Sequence, residues 1–242
     1  CTMAEWLSYH DIIENSEQVK LTLADASGKR FEETLEFGDF YPHFLWANFF
    51  RIPNDRPMVY GNPREDNYRY ELRDGGRILY IQFNQCENQE GHGTLDDMIR
   101  EIRATLADNP LDRCIVDIRH NDGGNRIWNG LVDFLRDDDR INQPGRLLVL
   151  IGRRTFSSGV MFATQLQMQT NAVFLGEPTG QGPLFFAGPR IHELPNSRLP
   201  LMVSSHRTEA GLPFDKRHCL EPDMPVSLKL MDFRTGRDPV MA

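Results

Sequence analysis

The feature that most constrains the fold is a regular alternation of short apolar runs and amphipathic stretches, which begins near residue 76. Such apolar runs are typical of strands buried on both faces, and the amphipathic stretches between them predict helices. The alternating strands and helices are predicted at residues 77–83, 94–106, 114–118, 128–136, 147–151, 159–169 and 172–175. This order is typical of an α/β core with helical crossovers, and two further strands are predicted at residues 201–205 and 225–230.

The first 75 residues lack this alternation and predict a small β-rich section that packs on the core. The predicted division of the chain is therefore into residues 1–75 and 76–242. Alternating residues at 20–24 and 31–37 flank a turn and predict a hairpin. The next stretch is rich in proline, asparagine and aromatic residues and shows no period. It predicts an irregular connection over residues 39–67, packed under Phe44, Trp46, Phe49 and Phe50.

Charge and composition exclude several function classes. The net charge is −8, and both nucleic acid and an anionic membrane need a basic face, so neither is an expected partner. No apolar run approaches the roughly 20 residues of a membrane-spanning helix. The cysteines include no CxxC pair and the histidines form no metal-binding pattern, so no metal or other cofactor is expected. Cys86 and Cys114 lie in apolar runs, which predicts buried free thiols.

Two strand-to-helix junctions are candidates for chemistry, because ligands of α/β sheets gather where strands end and helices begin. The first is the run DIRHNDGGN at residues 117–125. Gly123 and Gly124 can turn backbone N–H groups outward, which suits an oxyanion or a phosphate, while the simpler interpretation is a tight turn that needs positive φ. His120, beside the glycines, is the histidine nearest this chemistry, although a solvated turn histidine is the more common case.

The second junction is a buried strand, a short loop and two serines, Ser157 and Ser158, at the entrance of the third predicted helix. A serine hydroxyl in this place can act as a nucleophile, with the N–H of the next residue as an oxyanion donor. The more usual role of a serine before a helix is an N-cap, and both interpretations stand at this point.

Six motifs occur in order: IVDIRHNDGGN at 115–125, IGRRTFSSG at 151–159, GEPTG at 176–180, LPNS at 194–197, EPD at 221–223 and GRDP at 236–239. Together they resemble the carboxy-terminal processing (tail-specific) serine peptidases, nearer the bacterial tricorn-like and retinoid-binding-repeat branch. The resemblance implies a crotonase/ClpP-like core of ββα-type units and a peptide-bond hydrolase with Ser157 as nucleophile. It also implies an oxyanion hole formed by the N–H of Ser158 and one N–H from Gly123 or Gly124.

The chain departs from this family at the general base. Many members carry a lysine a few residues after the GEPTG motif, whereas the matching position here is Gly182, or Gln181 with one gap, and no lysine lies between Lys29 and Lys216. Residues 15–75 resemble the leader of a bacterial branch of the same family. In tricorn-like members the base is a histidine upstream of this leader, in a segment that here would precede Cys1. The acidic partners of that arrangement come from the C-terminal part, where the candidates are Glu209, Asp215 and Glu221.

Two other functions stay open beside the peptidase. A protein that has lost catalysis would keep the same cleft for a peptide or another ligand, as the retinoid-binding relatives did. A crotonase-like acyl-CoA enzyme would need no special serine and would hold the CoA phosphates with Arg153 and Arg154. The expected partner is a peptide or protein substrate, and no pattern indicates an oligomeric state. The resemblance implies the cell envelope or secretion, which the unpaired cysteines do not favour.

Overall fold

The structure is a computed structural model that describes residues 9, 12–14, 17–25, 27–36, 66–91, 93–107 and 109–242. The chain divides into two compact units, Cys1–Pro57 and Met58–Ala242, which we describe one at a time. In the first unit, strand β1 (Gln18–Ala24) pairs antiparallel with strand β2 (Arg30–Glu36), which confirms the predicted hairpin. The aromatic side chains assigned to the irregular connection lie outside the described residues.

The second unit is built on a six-stranded sheet. Its strands are β3 (Tyr68–Arg73), β4 (Ile78–Phe83), β5 (Arg113–Asp117), β6 (Leu147–Ile151), β7 (Val173–Gly176) and β10 (Met224–Pro225). In the spatial order β10-β7-β6-β5-β4-β3, the β3–β4 pair is antiparallel and the other neighbours are parallel. The crossover helices are α1 (Leu95–Leu106), α2 (Asn129–Asp137) and α3 (Ser158–Gln169). This mixed α/β alternation agrees with the one predicted from sequence.

The crossover helices pack side by side, with α2 in contact with both α1 and α3. This follows from the topology, because successive right-handed crossovers to the next strand place their helices on one face of a sheet. Helix α1 begins with a capping box, in which Thr94 and Asp97 each accept the other's backbone N–H. Its buried positions recur at helical spacing: Leu95, Met98, Ile99, Ile102 and Leu106.

Alternate residues of the central strands point to opposite faces of the sheet. Leu79, Ile81 and Phe83 of β4 are completely buried in the hydrophobic core that the helices cover. Each such side chain contributes about 1.5–3 kcal/mol to the free energy of unfolding. Tyr80, which lies between Leu79 and Ile81 in β4, points to the opposite face of the sheet and is also buried. Asp117, at the end of the neighbouring strand β5, is buried as well. The second face of the sheet is therefore closed as well, but with polar groups.

Among the described residues, the elements that the sequence pattern does not predict are β3, the 3-10 helix Asp74–Gly76, strand β8 (Leu184–Glu193) and helix α4 (Leu230–Thr235). Strand β8 pairs antiparallel with β9 (Pro200–Glu209) in a mostly exposed hairpin, and exposed strands need no buried apolar face that would reveal them. The strand predicted at residues 225–230 is wrong, because strand pairing stops at Pro225 and a helix begins at Leu230.

Strand β3 also bears on the division of the chain. The sequence places the boundary after residue 75, whereas the first compact unit ends at Pro57 and the second begins at Met58. The reason is that Tyr68–Arg73 pairs along its whole length with Ile78–Phe83 and so forms an edge of the core sheet. In the described ranges, no helix is long and apolar enough to cross a membrane.

A buried arginine joins the end of β5 to the C-terminal segment. Arg119 donates hydrogen bonds to both carboxylate oxygens of Asp117, at 3.0 and 2.6 Å, and to both of Asp238, at 3.0 and 2.9 Å. The Tyr80 hydroxyl donates to Asp117 at 2.8 Å. The side chains of Asp117 and Asp238 are 2% exposed, so this charge cluster is shielded from water.

The cluster keeps Asp117 ionised. Burial raises the pKa of this carboxyl, but the charge of Arg119 and the hydrogen bonds from Arg119 and Tyr80 outweigh burial and hold the pKa below its ordinary value. Ionised Asp117 therefore stabilises the folded state above pH about 4. That contribution is lost as the pH falls through the lowered pKa of the folded state.

Substitution of Arg119 tests this cluster. We expect Arg119→Met to lower the free energy of unfolding at pH 7 by about 3–5 kcal/mol, because it leaves two buried carboxylates without a counter-charge. The loss should shrink as the pH falls toward 4, since protonation neutralises the stranded carboxyls. Urea unfolding at the two pH values measures both effects.

The matched control is Arg198→Met, which removes an exposed pair with Glu193. Its effect on stability should stay below about 1 kcal/mol, as for other surface ion pairs. Equal losses in the two variants would contradict a buried role for Arg119.

Candidate active site

Three loops meet at one edge of the sheet, where β5, β6 and β7 lie side by side. Neighbouring parallel strands end at the same edge, so the loops that follow them are brought together. The loop after β5 carries Gly123 and Gly124, the loop after β6 carries Ser157 and Ser158, and the segment after β7 carries Gln181. The structure thus gathers five of the six site residues proposed from the sequence, and His120 is treated separately below.

Ser157 occupies the N-cap position of α3 in a strained backbone conformation, with φ 50° and ψ −120°. A non-glycine residue in such a conformation costs on the order of 1–3 kcal/mol, and this kind of strain clusters at active sites. Its side chain makes no capping hydrogen bond, so the N-cap interpretation explains the position of Ser157 but not its hydroxyl. The residue is partly exposed, and within the described part of the chain its Oγ has no hydrogen-bond partner.

The backbone of Ser157 is held from the segment after β7. Its N–H donates to Oε1 of Gln181 at 2.8 Å. Gln181 is itself fixed, because its carbonyl accepts a hydrogen bond from the Thr179 hydroxyl at 2.7 Å, and Thr179 accepts the Leu220 N–H at 2.8 Å. Gln181, which lies near the position where many family members have a lysine, therefore contacts the backbone of the candidate nucleophile Ser157.

The glycine turn lies directly against the two serines. Gly123 and Gly124 have φ values of 111° and 119°, so the positive φ considered for this turn is present. A Cβ at Gly123 would lie 2.7 Å from Ser157 Cβ and 3.0 Å from Ser158 N, and a Cβ at Gly124 would lie 2.7 Å from the Cys86 carbonyl oxygen. Glycine is therefore required at both positions by conformation and by space, and the requirement brings the turn's backbone to the start of α3.

Ser158 differs from Ser157 in that its hydroxyl both accepts and donates a hydrogen bond. It accepts a hydrogen bond from the Trp128 indole at 2.9 Å and donates one to the Asn125 carbonyl at 3.0 Å. Its side chain is buried, whereas its backbone N–H belongs to the first turn of α3, at the positive end of the helix dipole. Of the two serines, Ser157 is the one with an accessible hydroxyl, and Ser158 has a buried hydroxyl and a backbone N–H at the start of the helix.

His120 is partly exposed and lies between the buried Arg119 and the glycine turn. Its electrostatic interaction with Asp117 helps to lower the pKa of that carboxyl. The described contacts of Ser157 include no hydrogen bond to His120, and a catalytic role for His120 stays a prediction.

The acidic residues proposed as further partners are engaged elsewhere. Asp215 pairs with Arg217, Glu209 pairs with Arg207, and Glu221 accepts a hydrogen bond from the Cys219 thiol. Of the basic pair considered for CoA phosphates, Arg153 forms an ion pair with Glu177 at 3.5 Å and Arg154 one with Asp122 at 3.4 Å.

The thiols agree with the sequence analysis where they are described. Cys86 and Cys114 are buried and free, as predicted, and Cys219 is also free, while Cys1 lies outside the described residues. Burial raises the pKa of Cys86 to about 12, so this thiol stays protonated at neutral pH. The described residues include no cluster of three or more side chains that could hold a metal ion.

Gly123→Ala tests the contact between the turn and Ser157. The added Cβ would meet Ser157 Cβ at a distance that packed atoms do not tolerate, so we expect a loss of about 1–3 kcal/mol in the free energy of unfolding. The matched control is Gly145→Ala, because Gly145 also has positive φ but open space around the added atom. Urea unfolding should show a clearly larger loss for Gly123→Ala, and equal losses would contradict the contact.

Substitution of Gln181 tests the hydrogen bond to Ser157. Gln181→Leu removes the acceptor and leaves a partly buried N–H unsatisfied, so we expect it to lower the free energy of unfolding by about 1–3 kcal/mol. Gln181→Glu keeps an acceptor at the same reach and should retain most of that stability. Thermal and urea unfolding of the two variants provide the measurement, and a leucine variant as stable as the wild type would rule the hydrogen bond out as a stabilising contact.

Comparisons with known proteins extend these observations. No protein-family model and no curated protein matches the chain. Among solved structures, the chain is similar to a protein from Parabacteroides merdae ATCC 43184 that is proposed to be a peptidase, with a TM-score of 0.53 and 16% identity over 99% of this chain and 78% of that chain. It is also similar to mature CPAF complexed with lactacystin, with a TM-score of 0.50 and 13% identity over 91% of this chain and 65% of that chain.

A third similar structure is the photosystem II D1 C-terminal processing protease, at a TM-score of 0.44 and 16% identity over 86% of this chain and 55% of that chain. At this score we base no argument on it. The identities are low throughout, so these likenesses concern the fold. The chain thus shares its fold with the Parabacteroides merdae protein and with mature CPAF, the two structures above that have a TM-score of at least 0.50.

Proposed function

We propose that the protein is a serine-type peptidase that hydrolyses peptide bonds through an acyl-enzyme on Ser157, on a crotonase/ClpP-like core. The oxyanion donors are the N–H of Ser158 and an N–H of the turn formed by Gly123 and Gly124. The substrate is a peptide or a protein.

One observation carries this proposal. Ser157 is held in a strained conformation, has an accessible hydroxyl and lies in van der Waals contact distance of a glycine turn, at the start of a helix. A serine with only an N-cap role would use its hydroxyl for the cap and would not need the strain. Backbone donors near a nucleophile at a helix N-terminus are the arrangement that stabilises a developing oxyanion.

The chemistry assigns each group a step. The Ser157 oxygen attacks the carbonyl carbon of the scissile bond, its proton passes to the general base, and the carbonyl oxygen becomes an oxyanion held by the backbone donors. The tetrahedral intermediate then expels the amine, which takes the proton from the base, and water hydrolyses the remaining ester. In the tricorn-like arrangement that the sequence resembles, this base is a histidine.

A second candidate function is a catalytically inactive protein that binds a peptide or another ligand in the same cleft. The observation that favours it is that Gln181, near the position where many family members have a lysine, holds the backbone of Ser157. An amide cannot accept the serine proton, so without another base the hydroxyl would be a poor nucleophile.

Labelling with a fluorophosphonate separates the two functions, because this probe reacts with activated serines. We expect intact-mass analysis to show one adduct on the wild-type chain, and no adduct on Ser157→Ala. The matched control is Ser205→Ala, which removes an exposed hydroxyl of strand β9 and should label like the wild type.

The same labelling is to be repeated on any longer natural form of the protein. Absence of an adduct in every form would contradict the peptidase and leave the binding protein. An adduct that persists in Ser157→Ala would show that another residue is the nucleophile.

A further inference from the structure

We infer that Asn121 is a positioning residue that assembles the oxyanion hole, and that it makes the N–H of Gly124, not that of Gly123, the donor from the glycine turn. The inference rests on the proposed peptidase function and adds to it a residue and a choice between two donors. It depends on hydrogen bonds that Asn121 makes with three separate segments of the chain.

The side chain of Asn121 is completely buried, and both its amide nitrogen and its amide oxygen make hydrogen bonds. Its Nδ2 donates to the Phe83 carbonyl, at the end of β4, at 3.0 Å. Its Oδ1 accepts the Gly123 N–H at 3.1 Å and the Cys86 thiol at 3.2 Å. One end must donate and the other must accept, so an amide satisfies both sets of partners whereas an apolar or purely accepting side chain does not.

The backbone of Asn121 reaches the other half of the site. Its carbonyl accepts the N–H of Phe156, the residue before the candidate nucleophile, at 2.9 Å. The same residue thereby holds the end of β4, the glycine turn and the serine loop in one arrangement. Oxyanion donors are effective only when they are preorganised around the reacting carbonyl, and Asn121 is placed to fix both loops that supply them.

Asn121 also decides which N–H of the turn can face a substrate. The Gly123 N–H is taken up by Asn121, so it is directed into the protein. Gly124 forms a parallel bridge with Cys86, in which Cys86 N–H donates to the Gly123 carbonyl at 2.8 Å and Asn125 N–H donates to the Cys86 carbonyl at 2.6 Å. In such a bridge the N–H of the central residue points away from the partner strand, so the Gly124 N–H faces away from Cys86. Gly124 is exposed, which leaves its N–H accessible.

The first test measures the reaction of Ser157 with a fluorophosphonate over a range of probe concentrations. In Asn121→Leu we expect the maximal rate of labelling to fall by about 100- to 1,000-fold, as for the loss of an oxyanion-hole donor, with little change in the probe concentration that gives half the maximal rate. A residue needed only for folding would reduce the fraction of reactive protein and leave the rate constant of that fraction unchanged.

The matched control is Asn142→Leu. Asn142 also makes both kinds of hydrogen bond, donating to the Arg136 carbonyl and accepting the Asn171 N–H, but it joins segments outside the candidate site. It should lower stability without slowing the labelling. Equal labelling rates in wild type, Asn121→Leu and Asn142→Leu would overturn the inference while leaving the peptidase standing, whereas absence of labelling in the wild type and in any longer natural form would overturn both.

The second test needs no variant and decides the case where Asn121→Leu does not fold. The amide signals of wild-type protein are recorded by NMR before and after phosphonylation of Ser157, whose phosphoryl oxygen occupies the oxyanion site. We expect the amide protons of Gly124 and Ser158 to move downfield and that of Gly123 to stay in place. A downfield shift of Gly123 with Gly124 unchanged would overturn the assignment.

Discussion

The buried guanidinium of Arg119 is the interaction on which the candidate site depends most. It stands two residues after β5 and pairs with Asp117 at the end of that strand and with Asp238 near the end of the chain. Two carboxylates buried without this partner would be strongly destabilising. The path of the chain out of β5 is therefore tightly restricted, and the glycine turn starts from a fixed point.

The second constraint is the strain at Ser157, which is maintained by contacts from three directions. Gln181 holds its N–H, Asn121 holds the N–H of the preceding residue, and Gly123 packs against its Cβ. Strain of this kind persists only where the surroundings determine the conformation from several sides. Because these contacts come from loops after neighbouring strands, the rigidity of the sheet is transmitted to the hydroxyl of Ser157 and to the backbone donors around it.

The relation between sequence and structure differs from element to element. Helix α1 could be predicted because its cap residues and apolar spacing are local signals, and the capping box of Thr94 and Asp97 is present. The glycine turn and the two serines could be placed at strand-to-helix junctions for the same reason. Strand β8 could not, because its exposed residues carry no hydrophobic alternation. Residues 226–229, where apolar residues indicated a strand, form an irregular connection between strand β10 and helix α4.

The hydrogen-bond partners of the site residues could not be predicted from local sequence signals. Trp128 and Ser158 lie 30 residues apart, and Arg119 and Asp238 lie 119 residues apart. No spacing rule connects such pairs, since they meet only after the strands have been ordered in the sheet. The same holds for Gln181, which the sequence places beside a missing lysine and the fold places on the N–H of Ser157.

The sequence by itself determined the mixed α/β order, the positions of the turn and the serines, and the absence of a lysine between Lys29 and Lys216, because each of these is a property of neighbouring residues or of composition. Only the tertiary structure decided which serine hydroxyl is accessible, which glycine N–H is occupied and where the buried charges find partners. Those outcomes depend on distances between segments remote in the chain, and such distances are set when parallel strands end at one edge of a sheet and bring their loops together.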